Sequence, residues 1–162
     1  MRKIFLLSAA TVFFIAAFAQ DIKIENNQLV LDEPILFAAG KAEIKEESIA
    51  TLTRVKEFLT KKDYISTLRI EGHVNALGSA NNQTLSEQRA LAVAKWLTNN
   101  GVDCKRLLPV GFGNTKPIES DNTPEGRSKN NRIAFVIAAL RGRAIGGMPV
   151  DGGGKIAGDV CQ

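Results

Sequence analysis

Apolar positions along this chain repeat with two periods, two residues and about 3.6 residues, and the switches between them mark the elements. Residues 22–31, IKIENNQLVL, alternate on both sides of Asn26-Asn27, the pattern of a hairpin or two short strands. Ile35–Phe37 offers another short strand. Ile49, Leu52, Val55, Phe58 and Leu59 then recur at helical spacing over residues 45–60, with Lys and Glu between them. Thr67–Val74 returns to alternation. Leu68, Ile70 and Gly72 share one face and Arg69, Glu71 and His73 the other, which predicts a half-buried strand with its polar face outward.

A second helix has marked ends. Thr84 followed by Glu87 has the spacing of a capping box, which places the helix start at Leu85. Ala90, Val93 and Leu97 form its core stripe with Trp96 beside it, and Gly101 stands where a C-cap needs positive φ. Leu107–Phe112 reads as a strand. Thr123-Pro124 opens a short helix with proline in its first turn, and Ile133, Phe135 and Ile137 alternate along a last strand. The order strand, helix, strand, helix, strand, short helix, strand predicts a two-layer α/β (α+β) domain with helices on one face of the sheet.

The ends of the chain differ from this middle. Arg2 and Lys3 precede an uncharged, mostly apolar run, Ile4–Phe18, and Ala17-Phe18-Ala19 sets small residues where a signal peptidase reads. Residues 1–19 are therefore expected to be a cleaved signal peptide, with the mature chain starting at Gln20. The run is short for a membrane span of about 20 residues, and no cysteine follows it to take a lipid. Residues 20–34 form an N-terminal hairpin segment and 35–140 the domain. Residues 141–162 hold seven of the 14 glycines, and are expected to be a flexible tail unless Cys161 pins them to the domain.

Charge and cysteines narrow the function classes. The formal charge of +4 falls to +2 once Arg2 and Lys3 leave with the signal peptide, too near balance to point to nucleic acid. No later segment is apolar enough to span a bilayer. Cys104 and Cys161 are the two cysteines of an exported chain, a candidate disulfide. With His73 the single histidine and no C-x-x-C present, they do not read as a metal site. Catalysis fares no better. His73 has no local nucleophile and orienting acid, and Gly111-Phe112-Gly113 with Lys116 lacks the spacing of a phosphate loop and reads as a turn. The expectation is a non-enzyme without cofactor.

The stretch EGHVNALGSANNQTLSEQRA, Glu71–Ala90, carries more. A strand ends at Val74, the chain turns through Gly78, and a helix begins, exposing N–H groups and a partial positive charge that attract anions. Arg89 lies one turn inside and can offer a guanidinium fork to a carboxylate, or it can pair with Glu87 or another surface acid. The residues alone leave both open.

Taken together, Gly72-His73-Val74-Asn75, Gly78, Asn82, Leu85-Ser86, Arg89-Ala90, Gly101, GFGNTKP at 111–117 and EGRSKNNRI at 125–133 resemble the OmpA-like peptidoglycan-binding domain. The likeness runs over roughly Ile35–Ile137, nearly the whole mature domain. The module also occurs in peptidoglycan-associated lipoproteins and flagellar motor stators. The resemblance implies a βαβαββ-type mixed sheet with helices packed on it. It further implies a diaminopimelate side arm as ligand, whose free end carries an ammonium and a carboxylate. In the family the aspartate of a G-H-T-D motif meets the ammonium and the arginine of L-S-x-x-R-A meets the carboxylate. Here the arginine matches Arg89 and a loop asparagine matches Asn82.

The departures fall on the same spot. The family aspartate is Asn75 and the threonine before it is Val74, the loop is one residue shorter between Gly78 and Asn82, and N-R-R is Asn130-Asn131-Arg132, while Gly126-Arg127 is kept. An asparagine oxygen still accepts from an ammonium but without charge assistance, a loss of about tenfold in affinity. The expected ligand-binding set is Asn75, Asn82 and Arg89. The expected role is a periplasmic module tying the outer envelope to peptidoglycan. The alternative is an adaptor for outer-membrane or periplasmic proteins, with wall binding weakened at Asn75.

Overall fold

The computed structural model describes residues 22–77, 81–146 and 151–162. The expected signal peptide and the turn at Gly78 lie outside them.

The hairpin forms as the alternation predicts. β1 (Lys23–Glu25) and β2 (Gln28–Val30) pair antiparallel, and Asn26 and Asn27 both take positive φ, 49° and 62°, which is how a two-residue turn matches strand twist. The strand expected at Ile35–Phe37 shrinks to one bridge, Phe37 to Ile44. Leu36 explains part of this. Its N–H goes to the buried Ser48 hydroxyl at 2.7 Å rather than to a neighbouring strand. A 3₁₀ turn at Glu46–Ser48 then leads into α1 (Ile49–Lys61), which buries Leu52, Val55, Phe58 and Leu59.

β3 (Ile65–His73), β4 (Leu107–Gly111) and β5 (Arg132–Leu140) form the centre of the sheet, with α2 (Asn82–Asn99) and the short α3 (Pro124–Asn130) between them in sequence. β3 runs parallel to β4 and antiparallel to β5, so the sheet is mixed. Two more short strands, β6 (Arg143–Ala144) and β7 (Lys155–Ile156), complete the order β1-β2-β5-β3-β4-β7, with β6 beside β5. Leu52, Val55 and Leu59 of α1, Ala90, Val93 and Leu97 of α2 and Leu68, Ile70 and Phe135 of the sheet make one core. The C-terminus of α2 closes as its sequence predicts. Gly101 takes φ +98°, its N–H bonds the Thr98 carbonyl, and Val102 N–H bonds the Leu97 carbonyl with both side chains in the core.

Two expectations change here. The far face of β3 is not open to water: Arg69, Glu71 and His73 are 8%, 7% and 2% exposed. His73 stacks on Phe112 at 5.3 Å between ring centroids, Lys116 Nζ lies 4.1 Å over the same ring, and Arg69 Nε donates to Glu71 at 2.6 Å. The chain beyond Leu140 supplies some of the cover. Gly152 packs on Lys116 and its carbonyl accepts from the Thr115 hydroxyl. The second change is therefore in the tail, which is held rather than free where it is described. β7 pairs with the β4 edge, Ala157 N–H bonds the Pro109 carbonyl, Val160 enters the core beside the helices, and Cys161 bonds Cys104. A pinned Cys161 was the one condition under which the sequence expected such order.

Candidate functional site

The start of α2 is set by two glycines. A Cβ at Gly72 would overlap the Ser86 backbone carbonyl, and one at Gly111 would stand 2.5 Å from the Glu87 nitrogen, so the helix lies directly on β3 and β4. Side chains lock this approach. Ser86 Oγ donates to the Gln83 carbonyl and accepts from Gly113 N–H at 2.8 Å, while the Gly113 carbonyl accepts from Val74 N–H at 2.9 Å. Gln83 Nε2 donates to the Gly111 carbonyl and to Glu87, each at 2.8 Å. The capping box expected from Thr84 and Glu87 is accordingly absent. Leu85 N–H already bonds the Asn81 carbonyl, so the helix starts at Asn82, Thr84 sits inside the first turn, and Glu87 is occupied by Gln83.

Every polar backbone group of Asn75 is taken. Its N–H donates to Asn131 Oδ1 and its carbonyl accepts from Asn82 Nδ2, both at 3.0 Å, while its side-chain oxygen accepts from Leu77 N–H at 3.0 Å and makes an Asx turn. The next N–H, of Ala76, donates to Asp121 Oδ2 at 2.8 Å. Asp121 Oδ1 accepts from Asn130 Nδ2, also at 2.8 Å. These two bonds, Asn130 first and the Ala76 N–H second, hold the carboxyl below its ordinary pKa of 3.8. Asn130 is 2% exposed and its oxygen accepts from Ile118 and Glu119 N–H, so it fixes the 118–121 turn against α3. Asn82 is 8% exposed, and its buried Oδ1 has no hydrogen-bond partner.

Arg89 lies on the same face of α2 as Asn82. Seven residues is two turns, about 10 Å along the axis, and helical side chains lean back toward the N-terminus. Its Nε donates to the Lys41 carbonyl at 2.9 Å and its guanidinium carbon stands 4.9 Å over the Phe37 ring. Burial lowers its pKa, but a guanidinium stays charged. It does not pair with Glu87, and no ion pair to Arg89 is found among the described residues. Its terminal nitrogens can thus offer a fork to a carboxylate.

The sequence profile of the OmpA family matches residues 36–131, well over half of the chain. The chain belongs to the OmpA family. Outer membrane porin F of Pseudomonas aeruginosa is 38% identical over 108 residues, which cover 65% of this chain and 30% of the porin. Peptidoglycan-binding protein ArfA of Mycobacterium tuberculosis is 37% identical over 105 residues, 64% of this chain and 32% of ArfA. The chain thus spans about a third of either relative's length. The cell wall anchor of the T6SS from Pseudomonas aeruginosa is a structural neighbour with a TM-score of 0.57 and 28% identity, covering 64% of this chain and 75% of that one.

In this OmpA-family chain, Asn75 and Asn82 touch directly and Arg89 sits two turns along the same helix. Lys41, Phe37, Asp121, Asn130 and Asn131 complete the surroundings, and only Asn130 and Asn131 fell in a motif that the sequence singled out. Asp121 carried no signal, because it acts through a backbone N–H on a loop 45 residues away. Cys104 and Cys161 form the disulfide, with Cα atoms 5.2 Å apart. Among the described residues, no group of three or more His, Cys, Asp or Glu gathers to hold a metal, and no helix is long and apolar enough to cross a membrane.

Proposed function

We propose that this chain is a non-catalytic periplasmic module that binds peptidoglycan through the diaminopimelate arm of the stem peptide and links the outer envelope to the wall. The observation that carries the reading is Arg89. Its Nε is anchored on the Lys41 carbonyl and its guanidinium carbon stands over the Phe37 ring, which presets the fork, and the same helix face leads back to the Asn82–Asn75 contact. A preset fork loses less side-chain entropy on meeting a carboxylate than a free arginine does. The names of ArfA and of the T6SS wall anchor, and the outer-membrane setting of porin F, support the same class of ligand and the same compartment.

Co-sedimentation with isolated sacculi tests this. The wild-type protein is expected to pellet with the wall, and Arg89→Ala to weaken binding about thirtyfold, the loss of one charge-assisted, bidentate contact. Equal pelleting of the two proteins would refute the carboxylate fork.

A second reading, a periplasmic protein adaptor, draws on the N-terminal hairpin. Its Ile24 and Val30 are 43% and 39% exposed, apolar side chains left on the two faces of the β1–β2 pair. Crosslinking in intact cells that gives one dominant protein partner and no sacculus association selects this reading.

A further inference from the structure

The ammonium half of the ligand needs a negative charge, and position 75 has none. The Asn75 amide can offer only a neutral contact. Its side-chain oxygen already accepts from Leu77 N–H and its backbone carbonyl from Asn82, and a further donor on either would meet no formal charge.

A carboxylate stands one residue away. Asp121 reaches the 75–77 turn from the loop before α3 and takes the Ala76 N–H at 2.8 Å. Its other oxygen is held by the buried Asn130 at 2.8 Å. Each carboxylate oxygen has two lone-pair positions, so both keep room for a second donor. Asp121 is partly exposed, which leaves it open to a ligand. The Arg127 charge acts on it weakly, but that guanidinium bonds the Asp121 backbone carbonyl at 2.8 Å, and no ion pair neutralises the carboxylate among the described residues. A second, independent feature points the same way. Asn82, on the other side of the Asn75 carbonyl, is 8% exposed, and its Oδ1 lacks any donor. A buried acceptor left without a donor is costly, and a ligand N–H is one way to satisfy it.

We propose that Asp121 supplies the carboxylate that meets the ligand's ammonium, in the place that Asn75 has vacated, with Asn82 Oδ1 as an additional acceptor. The inference rests on the stem-peptide reading above. The charge has moved from the strand end to the facing loop, so the clamp is built from Asp121 on one side and Arg89 on the other. Specificity for a free amine then depends on the 118–121 turn, and Asn130 and Asn131 are the positioning residues that hold that turn and Asn75 in register.

The test is calorimetric titration of the mature, oxidised protein with the tripeptide L-Ala-γ-D-Glu-meso-diaminopimelate and with the same peptide acetylated on its side-arm amine. The wild type is expected to prefer the free amine about tenfold, the difference between a charge-assisted and a neutral contact. Asp121→Asn is expected to bind the free amine about tenfold more weakly and to lose the preference. Asn75→Asp added to Asp121→Asn is expected to restore it, which separates charge from damage to the turn. A preference that survives in Asp121→Asn overturns the proposal, as does a double variant that folds yet regains nothing. If neither peptide binds the wild type and Arg89→Ala sediments with sacculi as the wild type does, the stem-peptide reading falls and this proposal with it. If Arg89→Ala alone loses sacculi, only the role of Asp121 is overturned by an unchanged Asp121→Asn.

Discussion

Arg89 commits its Nε–H to the Lys41 carbonyl and holds its guanidinium carbon over the Phe37 ring, so the proposed carboxylate contact falls to its terminal nitrogens and calls for a planar fork, not only a positive charge. Arg89→Lys is therefore expected to bind sacculi about tenfold more weakly than the wild type, with an unchanged melting temperature. Lysine binding equal to arginine would show that charge alone suffices. Glu71 and His73 give a prediction of a different kind. Burial lowers the His73 pKa below 6.5, against the raising pull of Glu71, and Arg132 and Lys116 add to the lowering. Burial raises Glu71, but the His73 hydrogen bond and the Arg69 charge outweigh it and leave the group below 4.5. In both cases the unfolded chain takes up its proton at higher pH than the folded one, so stability must fall with falling pH. Melting temperature is expected to decline as pH drops below 6.5 and again below 4.5, with His73→Gln removing the upper step. A flat profile between pH 8 and 5.5 would contradict the buried, neutral histidine.

At the scale of elements, the ends of helices show what a sequence displays and what it hides. The C-terminus of α2 was legible because Gly101 and Val102 act on Thr98 and Leu97, a few residues back. Its N-terminus was not. A local rule favoured Thr84, but Gln83 reaches Gly111 across 28 residues, and the two close glycine contacts draw the helix onto the strands. The same division holds for β3. Alternation showed which residues share a face, but not that the chain after Leu140 and the 112–116 turn would cover the polar one. In the site, Arg89 was readable as a residue one turn inside a helix and Asn82 only through the family resemblance, as a loop residue, whereas Asp121 was not readable, since nothing local ties it to residue 76. α1 ends in a device of this long-range kind. Arg106 donates to the carbonyls of Leu59, Lys62 and Ile65 at 3.0, 3.1 and 3.1 Å, tying the last turn of α1 and the residue after it to the start of β3. Arg106→Ala is expected to cost about 2–3 kcal/mol in urea unfolding, as several charge-assisted bonds are lost together. A change under about 0.5 kcal/mol, the size of an ordinary surface substitution, would rule the cap out.

Across the whole molecule, the Cys104–Cys161 bond, with a sequence separation of 57, encloses β4, α3, β5, β6 and β7 in one covalent ring. In the chain-entropy account a ring of this length stabilises by about 4 kcal/mol. Reduction is expected to lower the melting temperature by roughly 10 °C or more. Labelling of the denatured, unreduced protein should find no free thiol, and two labelled thiols would remove the ring from the account.

β7 carries a further consequence. It is drawn from residues 155–156, after the other strands, and among the described residues it is the one neighbour that β4 has on that side. Before the tail closes, β4 shows a row of unpaired donors and acceptors, the kind of border along which separate copies stitch together. The interval between synthesis and oxidation is thus the period in which aggregation competes with folding. Molecules made in a reducing compartment stay in that interval, and a portion of them should be lost as insoluble material even though Arg89, Asn82 and Asp121 are unchanged.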